Sequence, residues 1–332
     1  MKLFDTIAAM GHEQLVLNFD KSSGYRGVIA IHDTTLGPAL GGTRFWQYGS
    51  DEEAIIDGDN RTLNREMLFR AHGRFVDSLG GRYVTAEDVG TSTTDMDFVH
   101  METDYVSGLQ GASGDPSPVT ARGVFRAMQA TAKYRWGSDD LSGRTVAIQG
   151  CGNVGYNLAR ELHAVGATLI VADIDAERVK RVMHDTGARG VDVAEVLNQK
   201  ADILAPCALG GGMNDDTIPK LRVELVVGAA NNQLLEDRHG DMLEARGVTY
   251  APDYVVNAGG VINVYSELAG WDRTRSLRKA DEIYQTILGV FDIAKADGVT
   301  SHVAADRLAE RRIEAVRGMV RTWPPFPNKS QG

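Results

Sequence analysis

Cysteine is scarce in this chain: two residues in 332, Cys151 and Cys207. That is too few for a disulfide framework, so a buried core has to hold the fold. Both are read as small apolar fillers rather than nucleophiles or metal ligands. No apolar run approaches the roughly 20 residues that a membrane-crossing helix needs. Positive charge is also short, 35 Lys and Arg against 45 Asp and Glu for a net charge of −10. This argues against general affinity for nucleic acid or an anionic membrane. The opening MKLFDTIAAMGHEQ has an early acid and too short an apolar stretch for a secretory signal, so a cytoplasmic location is expected. The eight histidines show no metal-ligand spacing, no metal is expected, and His163 is read as structural. Lysine is missing altogether between Lys21 and Lys133.

What the chain has in quantity is glycine, 37 residues, and three of them organise the stretch from Arg144 to Asp175. Thr145 to Gln149 reads as a buried strand, Gly150, Gly152 and Gly155 form G-x-G-x-x-G, and 154–165 continues at helical spacing. A second apolar strand, 168–172, ends at Asp173. Gly150 permits a tight turn, Gly152 lets backbone amides approach a pyrophosphate, and Gly155 lets helix and strand pack closely, with the helix N-terminus facing the phosphates. Asp173 can accept both ribose hydroxyls of an adenosine and would repel a 2′-phosphate, so the cofactor expected is NAD. The competing reading of such a turn is a glycine-rich βα connection with no nucleotide; the second strand and its acid, in register, favour the dinucleotide.

A length of 332 residues suits two domains. Residues 13–19 and 26–32 read as a hairpin, followed by a loop, DTTLGPALGGTRFWQYGS, with Gly41, Gly42 and Arg44. Ser50-Asp51-Glu52-Glu53 is a capping box for a helix that breaks almost at once at Gly58-Asp59-Asn60, and 62–79 resumes as a helix. Residues 82–86 read as a strand delivering Glu87 and Asp88, which by themselves look like solvated loop acids. Pro116-Ser117-Pro118 separates the halves, and a helix runs from Thr120. Strands at 201–204, 225–228 and 249–251 alternate with helices, which implies a parallel sheet with ligands at the strand carboxyl ends, where Cys207, Asn231, Asn232 and Asn257 lie. A long helix is expected over 277–294 and another over 303–320, with an extended tail. The expected architecture is α/β: a substrate and oligomerisation domain over 1–118, a Rossmann-type NAD-binding domain over 119–270, helices over 271–322 returning toward the first domain, and the tail 323–332.

The segments GPALGGTR, RYVTAEDVGT, GDPSPVTARGV, VAIQGCGNVG, APCALGGGMNDDTIP, VVGAANNQL and APDYVVNAGGVINV resemble the leucine, valine and phenylalanine dehydrogenase branch of the amino-acid dehydrogenases over nearly the whole chain. The resemblance implies oxidative deamination of an L-amino acid to a 2-oxo acid and ammonia with reduction of NAD, in a homo-oligomer with substrate in the cleft between domains. Hydride leaves the α-carbon for the nicotinamide and water attacks the resulting imine. It also implies that Gly41 and Gly42 lie near the substrate's main-chain groups and that Asp88 holds the substrate amine and relays protons. Thr120 and Asn232 resemble nicotinamide contacts; Asn231 and Cys207 are expected cofactor contacts from their place at the strand carboxyl ends. Gly150, Cys151, Gly152, Asn153, Val154, Gly155 and Tyr156 resemble the phosphate turn, and Asp173 the ribose ligand. Asn257 and Asn263 resemble polar groups beside the reacting carbon. Leu40, Ala86, Val261 and Val264 resemble the lining of the side-chain pocket; all are aliphatic, which suits leucine, isoleucine or valine better than phenylalanine.

One departure stands out. Family members continue from the AIID helix through a segment carrying two lysines, one for the substrate carboxylate and one as the general acid/base whose pKa burial lowers. Here Asp57 runs straight into GDNRTLNREML. Arg61 and Arg65 could bind a carboxylate, but a guanidinium does not deprotonate in proteins and is no base. Three readings remain open: a branched-chain amino-acid dehydrogenase with weak activity, a silent NAD-binding homologue or regulatory subunit, and a shortened form of an ordinary enzyme.

Overall fold

The computed structural model describes residues 10–43, 65–88, 90–109 and 115–317. The helix expected after Ser50, its break at 58–60, Arg44, Arg61 and the tail lie outside the described residues. The chain divides into two compact units, Met1–Val106 with Arg307–Gly332, and Ser107–Asp306.

In the first unit β1 (Gln14–Asp20) and β2 (Tyr25–Ile31) form an antiparallel hairpin in the register Gln14 to Ile31. Its turn is held by Asp20, whose carboxylate accepts from Ser22 and Ser23 and is drawn down to about 2 by those hydrogen bonds. The stretch expected to be loop contains a strand, β3 (Ala39–Thr43), paired in parallel with β4 (Tyr83–Glu87). Two adjacent glycines argue against a strand from sequence alone; pairing to an apolar partner overrides that preference. Between them runs α1 (Arg65–Asp77), burying Leu68, Phe69, Phe75 and Val76. It packs on α2 (Thr93–His100), which Ser92 and Asp95 start with a capping box.

In the second unit α3 (Ser117–Trp136) begins three residues before the expected point, with Pro in its first turn and Gly137 closing it in the left-handed conformation. Then follow β5 (Thr145–Gln149), α4 (Asn153–Ala164), β6 (Thr168–Ala172), α5 (Ala176–Thr186), β7 (Arg189–Gly190), β8 (Ile203–Pro206), β9 (Leu225–Val226), α6 (Arg238–Ala245) and β10 (Thr249–Tyr250). The strands make a six-stranded parallel sheet in the order β10-β9-β8-β5-β6-β7. From β5 the chain winds outward to β6 and β7, then returns to the other side of β5 for β8, β9 and β10. That is the doubly wound order, whose reversal between β5 and β8 opens a crevice at the strand carboxyl ends. Val146 and Ile148 of β5 join the apolar cluster on one face and Ala147 the cluster on the other. Burial on both faces is why these strands read as continuous apolar runs.

After β10 come α7 (Asp253–Val256), α8 (Gly259–Leu268), α9 (Arg273–Asp281), α10 (Ile283–Asp297) and α11 (Ser301–Arg317). The single helix expected over 277–294 is two, because the chain turns at Glu282. Arg122 draws the Asp281 carboxylate to 2.7 Å, and a Cβ on Gly123 would stand only 2.7 Å from Cδ1 of Ile283, so that side chain seats in the glycine's gap. At the end of α11, Arg317 pairs with Asp33 at 2.6 Å within the first unit.

Candidate active site

The glycine turn of the second unit joins β5 to α4 through close backbone contacts. Gly150 has φ +103°, and a Cβ there would lie 2.8 Å from the carbonyl oxygen of Cys207, across the sheet's reversal point. A Cβ on Gly155 would stand 2.0 Å from the Gly150 carbonyl oxygen, so only hydrogen lets α4 start this close to β5. Gly152 is the N-cap of α4 with no side chain capping it, and the space before its Cα is open. The first turn of α4, from Asn153 through Val154, therefore presents uncapped amides to solvent, an anion site in form and polarity. Asp173, at the end of β6, accepts the Cys151 amide at 2.6 Å through one oxygen and the Asp175 amide at 2.8 Å through the other. This fixes the carboxylate beside the turn with lone pairs left for a diol. The residues present fit a dinucleotide. Tyr156 turns its phenol to Asp185 (2.7 Å) and its ring under Arg181, so from Tyr156 only the backbone belongs to the turn. Burial pushes the Cys151 thiol up to about 12 and the Cys207 thiol up to about 11, and neither serves as a nucleophile at neutral pH.

The polar residues expected near the nicotinamide gather at the same sheet end. Asn257 donates to Asn231 at 2.5 Å and to the Ala229 carbonyl at 3.2 Å. Asn232 is the one non-glycine among the described residues with positive φ, +51°, an uncommon conformation of the kind found at ligand-contacting turns. Gly259 lets the start of α8 press on α3: a Cβ there would be 2.6 Å from Cα of Thr120. Thr120 returns its hydroxyl to the Pro116 carbonyl at 3.0 Å. On α8, Asn263 is buried, Val264 is half-buried with its carbonyl accepting from Ser107, and Val261 is 60% exposed.

The first unit holds the remaining expected residues on one strand pair. Leu40, Gly41 and Gly42 lie opposite Val84, Thr85 and Ala86. A Cβ on Gly42 would be 2.6 Å from Cβ of Asp88, so Gly42 leaves the space that the half-buried Asp88 side chain occupies. Two residues not singled out from sequence hold this ledge. Thr91 accepts the Asp88 amide at 2.9 Å and donates to the Thr43 carbonyl at 3.0 Å, and Tyr83 donates to the Gly41 carbonyl at 3.1 Å. No spacing rule finds them, since each acts across strands far apart in sequence. Below the ledge lies the buried imidazole of His72, with Tyr25 at 2.7 Å and Thr43 at 3.1 Å; burial pushes it down to about 4.

Arg65 is committed elsewhere. Its fork grips the buried Asp95 at 2.9 and 2.6 Å and the Gly90 carbonyl at 3.0 Å. Burial alone would raise the Asp95 carboxyl, but Arg65 and Ser92 together hold it below its usual range. The arginine braces the turn that follows Asp88 rather than standing open to a substrate carboxylate. Lys21, in the β1–β2 turn, is the one lysine among the described residues of this unit. No described helix is long and apolar enough to cross a membrane.

Comparison with known proteins identifies the family. Residues 171–316 match the family Glutamate/Leucine/Phenylalanine/Valine dehydrogenase, and residues 119–215 match the NAD binding domain of D-isomer specific 2-hydroxyacid dehydrogenase. A nicotinamide cofactor follows from both. Leucine dehydrogenase of Bacillus cereus is 49% identical over 353 positions, covering 97% of this chain and 96% of that protein. Because the chain has 332 residues, at least 21 of those positions (353 − 332) face no residue here. Valine dehydrogenase of Streptomyces coelicolor is 45% identical, covering 92% of this chain and 93% of that protein. The crystal structure of L-tryptophan dehydrogenase from Nostoc punctiforme superposes with a TM-score of 0.85 at 41% identity, covering 95% of this chain and all of that one. With half its residues shared along nearly its full length, the chain belongs to the glutamate, leucine, phenylalanine and valine dehydrogenase family of oxidoreductases.

Proposed function

We propose that this protein is an NAD-dependent dehydrogenase of branched-chain L-amino acids, releasing the 2-oxo acid and ammonia, and that the chain as it stands turns over slowly. The observation that carries the first part is the Gly42–Asp88 ledge, where a glycine strand makes room for a half-buried carboxylate. Asp88 accepts the proton of the substrate ammonium and holds the amine, and the amide and carbonyl groups of Gly41 and Gly42 orient its main chain. The nicotinamide, when bound, supplies the hydride acceptor. Thr120 and Asn232 position its amide, Cys207 and the linked Asn231 and Asn257 support that end of the sheet, and Asn263 stands beside the reacting carbon. Gly150 to Tyr156 hold the pyrophosphate and Asp173 the adenosine ribose, which selects NAD over NADP because a 2′-phosphate would meet a carboxylate. Leu40, Ala86, Val261 and Val264 give an aliphatic lining that prefers leucine, isoleucine and valine to an indole or phenyl ring. The first unit is the substrate domain.

Slow turnover follows from the missing base. Water attacking an imine needs a group that takes its proton near neutral pH. Arg65 is bound to Asp95 and does not deprotonate, and the unmatched alignment positions agree with the loss of a lysine-bearing segment. Self-association is part of the proposal: Leu17 and Phe19, 57% and 62% exposed on one side of β1, are apolar groups a second copy would cover. Sedimentation should show an oligomer.

The deciding assay pairs NADH binding, read by fluorescence, with NADH formation from L-leucine, L-valine and L-tryptophan. Tight NADH binding, slow turnover of leucine and valine, slower turnover of tryptophan, and recovery of rate when the segment of a relative is inserted after Asp57 are expected. Full turnover by the unaltered chain would refute the missing base, and failure to bind NADH would refute the activity itself.

A further inference from the structure

We propose that Arg178, on the first turn of α5, is a cofactor-binding residue whose guanidinium pairs with the dinucleotide pyrophosphate over Gly152. This rests on the nucleotide reading of the glycine turn and adds to it a contact outside the turn. Nη1 of Arg178 lies 4.0 Å from where a Cβ on Gly152 would stand, and no other non-neighbouring heavy atom comes within that distance. The face of Gly152 that a phosphate must approach is therefore open except for one cation.

Neighbouring groups both hold and require that cation. Asp175 caps α5 by accepting the Glu177 amide at 2.9 Å and holds Nε of Arg178 at 3.3 Å through its other oxygen. The Arg178 fork is thus steered from the Nε side, while Nη1 faces Gly152. The other two cations of this helix are occupied elsewhere: Lys180 pairs with Glu177 at 2.7 Å, and Arg181 lies 3.7 Å from the Tyr156 ring centroid. Two carboxylates, Asp173 and Asp175, flank the turn. Uncapped helix amides supply only partial positive charge, so a pyrophosphate entering beside two carboxylates gains from a full positive charge on its open side. A guanidinium presents paired N–H donors matched to phosphate oxygens. Its place on the Gly152 side, rather than beyond Asp173, assigns it to the pyrophosphate and not to a 2′-substituent of the ribose.

The test uses the full chain and reads binding alone. NADH affinity is measured by fluorescence, and ADP-ribose, adenosine and NADPH are measured by displacement of NADH, for the wild type, Arg178→Ala, Arg178→Lys and Lys180→Ala. Arg178→Ala should weaken NADH and ADP-ribose about tenfold while adenosine, which has no phosphate, shifts by less than about twofold. Arg178→Lys should recover part of the loss, and Lys180→Ala, an equal loss of charge on the same helix, should change none of the four. Equal weakening of adenosine and ADP-ribose, unchanged NADH affinity, or a loss confined to NADPH would each overturn the assignment. If the wild type binds NADH and the variant matches it, the glycine-turn reading survives and Arg178 alone is wrong; if the wild type binds no NADH, both fall.

Discussion

Gly155 and Gly42 are both pressed against a neighbour, but the neighbours differ in kind. A Cβ on Gly155 would meet the backbone carbonyl of Gly150 at 2.0 Å, five residues away in the chain, whereas one on Gly42 would meet the side chain of Asp88 at 2.6 Å, brought across from another strand. The second unit packs its nucleotide turn against backbone, Gly150 against the Cys207 carbonyl and Gly155 against that of Gly150. The first unit makes its ledge from side chains on parallel strands whose paired residues stand 44 positions apart. Backbone sites tolerate change in the residues around them, since the amides remain. A side-chain ledge fails when one supporting group goes, and the stretch without lysine, between Lys21 and Lys133, takes in most of the first unit.

The strongest challenge to this contrast is Asp88→Asn, made in the chain carrying the inserted segment. Leucine turnover should fall about 10²- to 10⁴-fold while NADH affinity holds; an equal fall in both would mean that the ledge is not specific to the amino acid. Next, Gly155→Ala must push α4 off β5, at a cost of about 2–3 kcal/mol, and should abolish NADH binding. Urea unfolding followed by tryptophan fluorescence, alongside the NADH titration, reads both.

Acid should separate the units. His72 is held near 4 when folded and returns toward 6.5 when unfolded, so between those values the unfolded chain binds the extra proton. The stability due to the neutral imidazole is therefore complete above about 6.5 and is lost as pH falls toward 4, by about 3 kcal/mol in all. A His72→Gln chain should lack this part of the pH dependence of the urea midpoint, and identical pH profiles would exclude His72 as its source. Gly42→Ala should weaken binding of L-leucine about tenfold through displaced Asp88 and leave NADH untouched, as calorimetry would show. The smallest effect concerns the thiols: with both raised by burial, iodoacetamide at pH 8 should label Cys151 and Cys207 slowly in the folded chain and readily in urea.

The residues show how far pattern carries. The bounds of β5 and β6 coincide with the expected strands, because a strand buried on both faces is a continuous apolar run with sharp ends. β3 reads as loop, since Ala-Leu-Gly-Gly-Thr has weak strand preference and gains its form from pairing with β4. The long helix divides at Glu282, next to Asp281, which Arg122 holds through an ion pair spanning 159 positions that no periodicity encodes. Asp88 alone looked like a solvated acid; family resemblance picked it out, and Gly42 and Thr91 supply the physical reason it sits where it does.

Pattern alone thus settled the glycine turn, the acid at the end of β6, the doubly wound nucleotide unit and the stretch without lysine between Lys21 and Lys133. Each is a local pattern or a composition, complete within a short stretch of chain. Packing of the chain was needed to show that Arg65 is bound to Asp95, that Gly42 makes room for Asp88, and that Arg178 stands over Gly152. Those are contacts between side chains far apart in sequence or on separate elements, and their geometry exists only once strands and helices have packed.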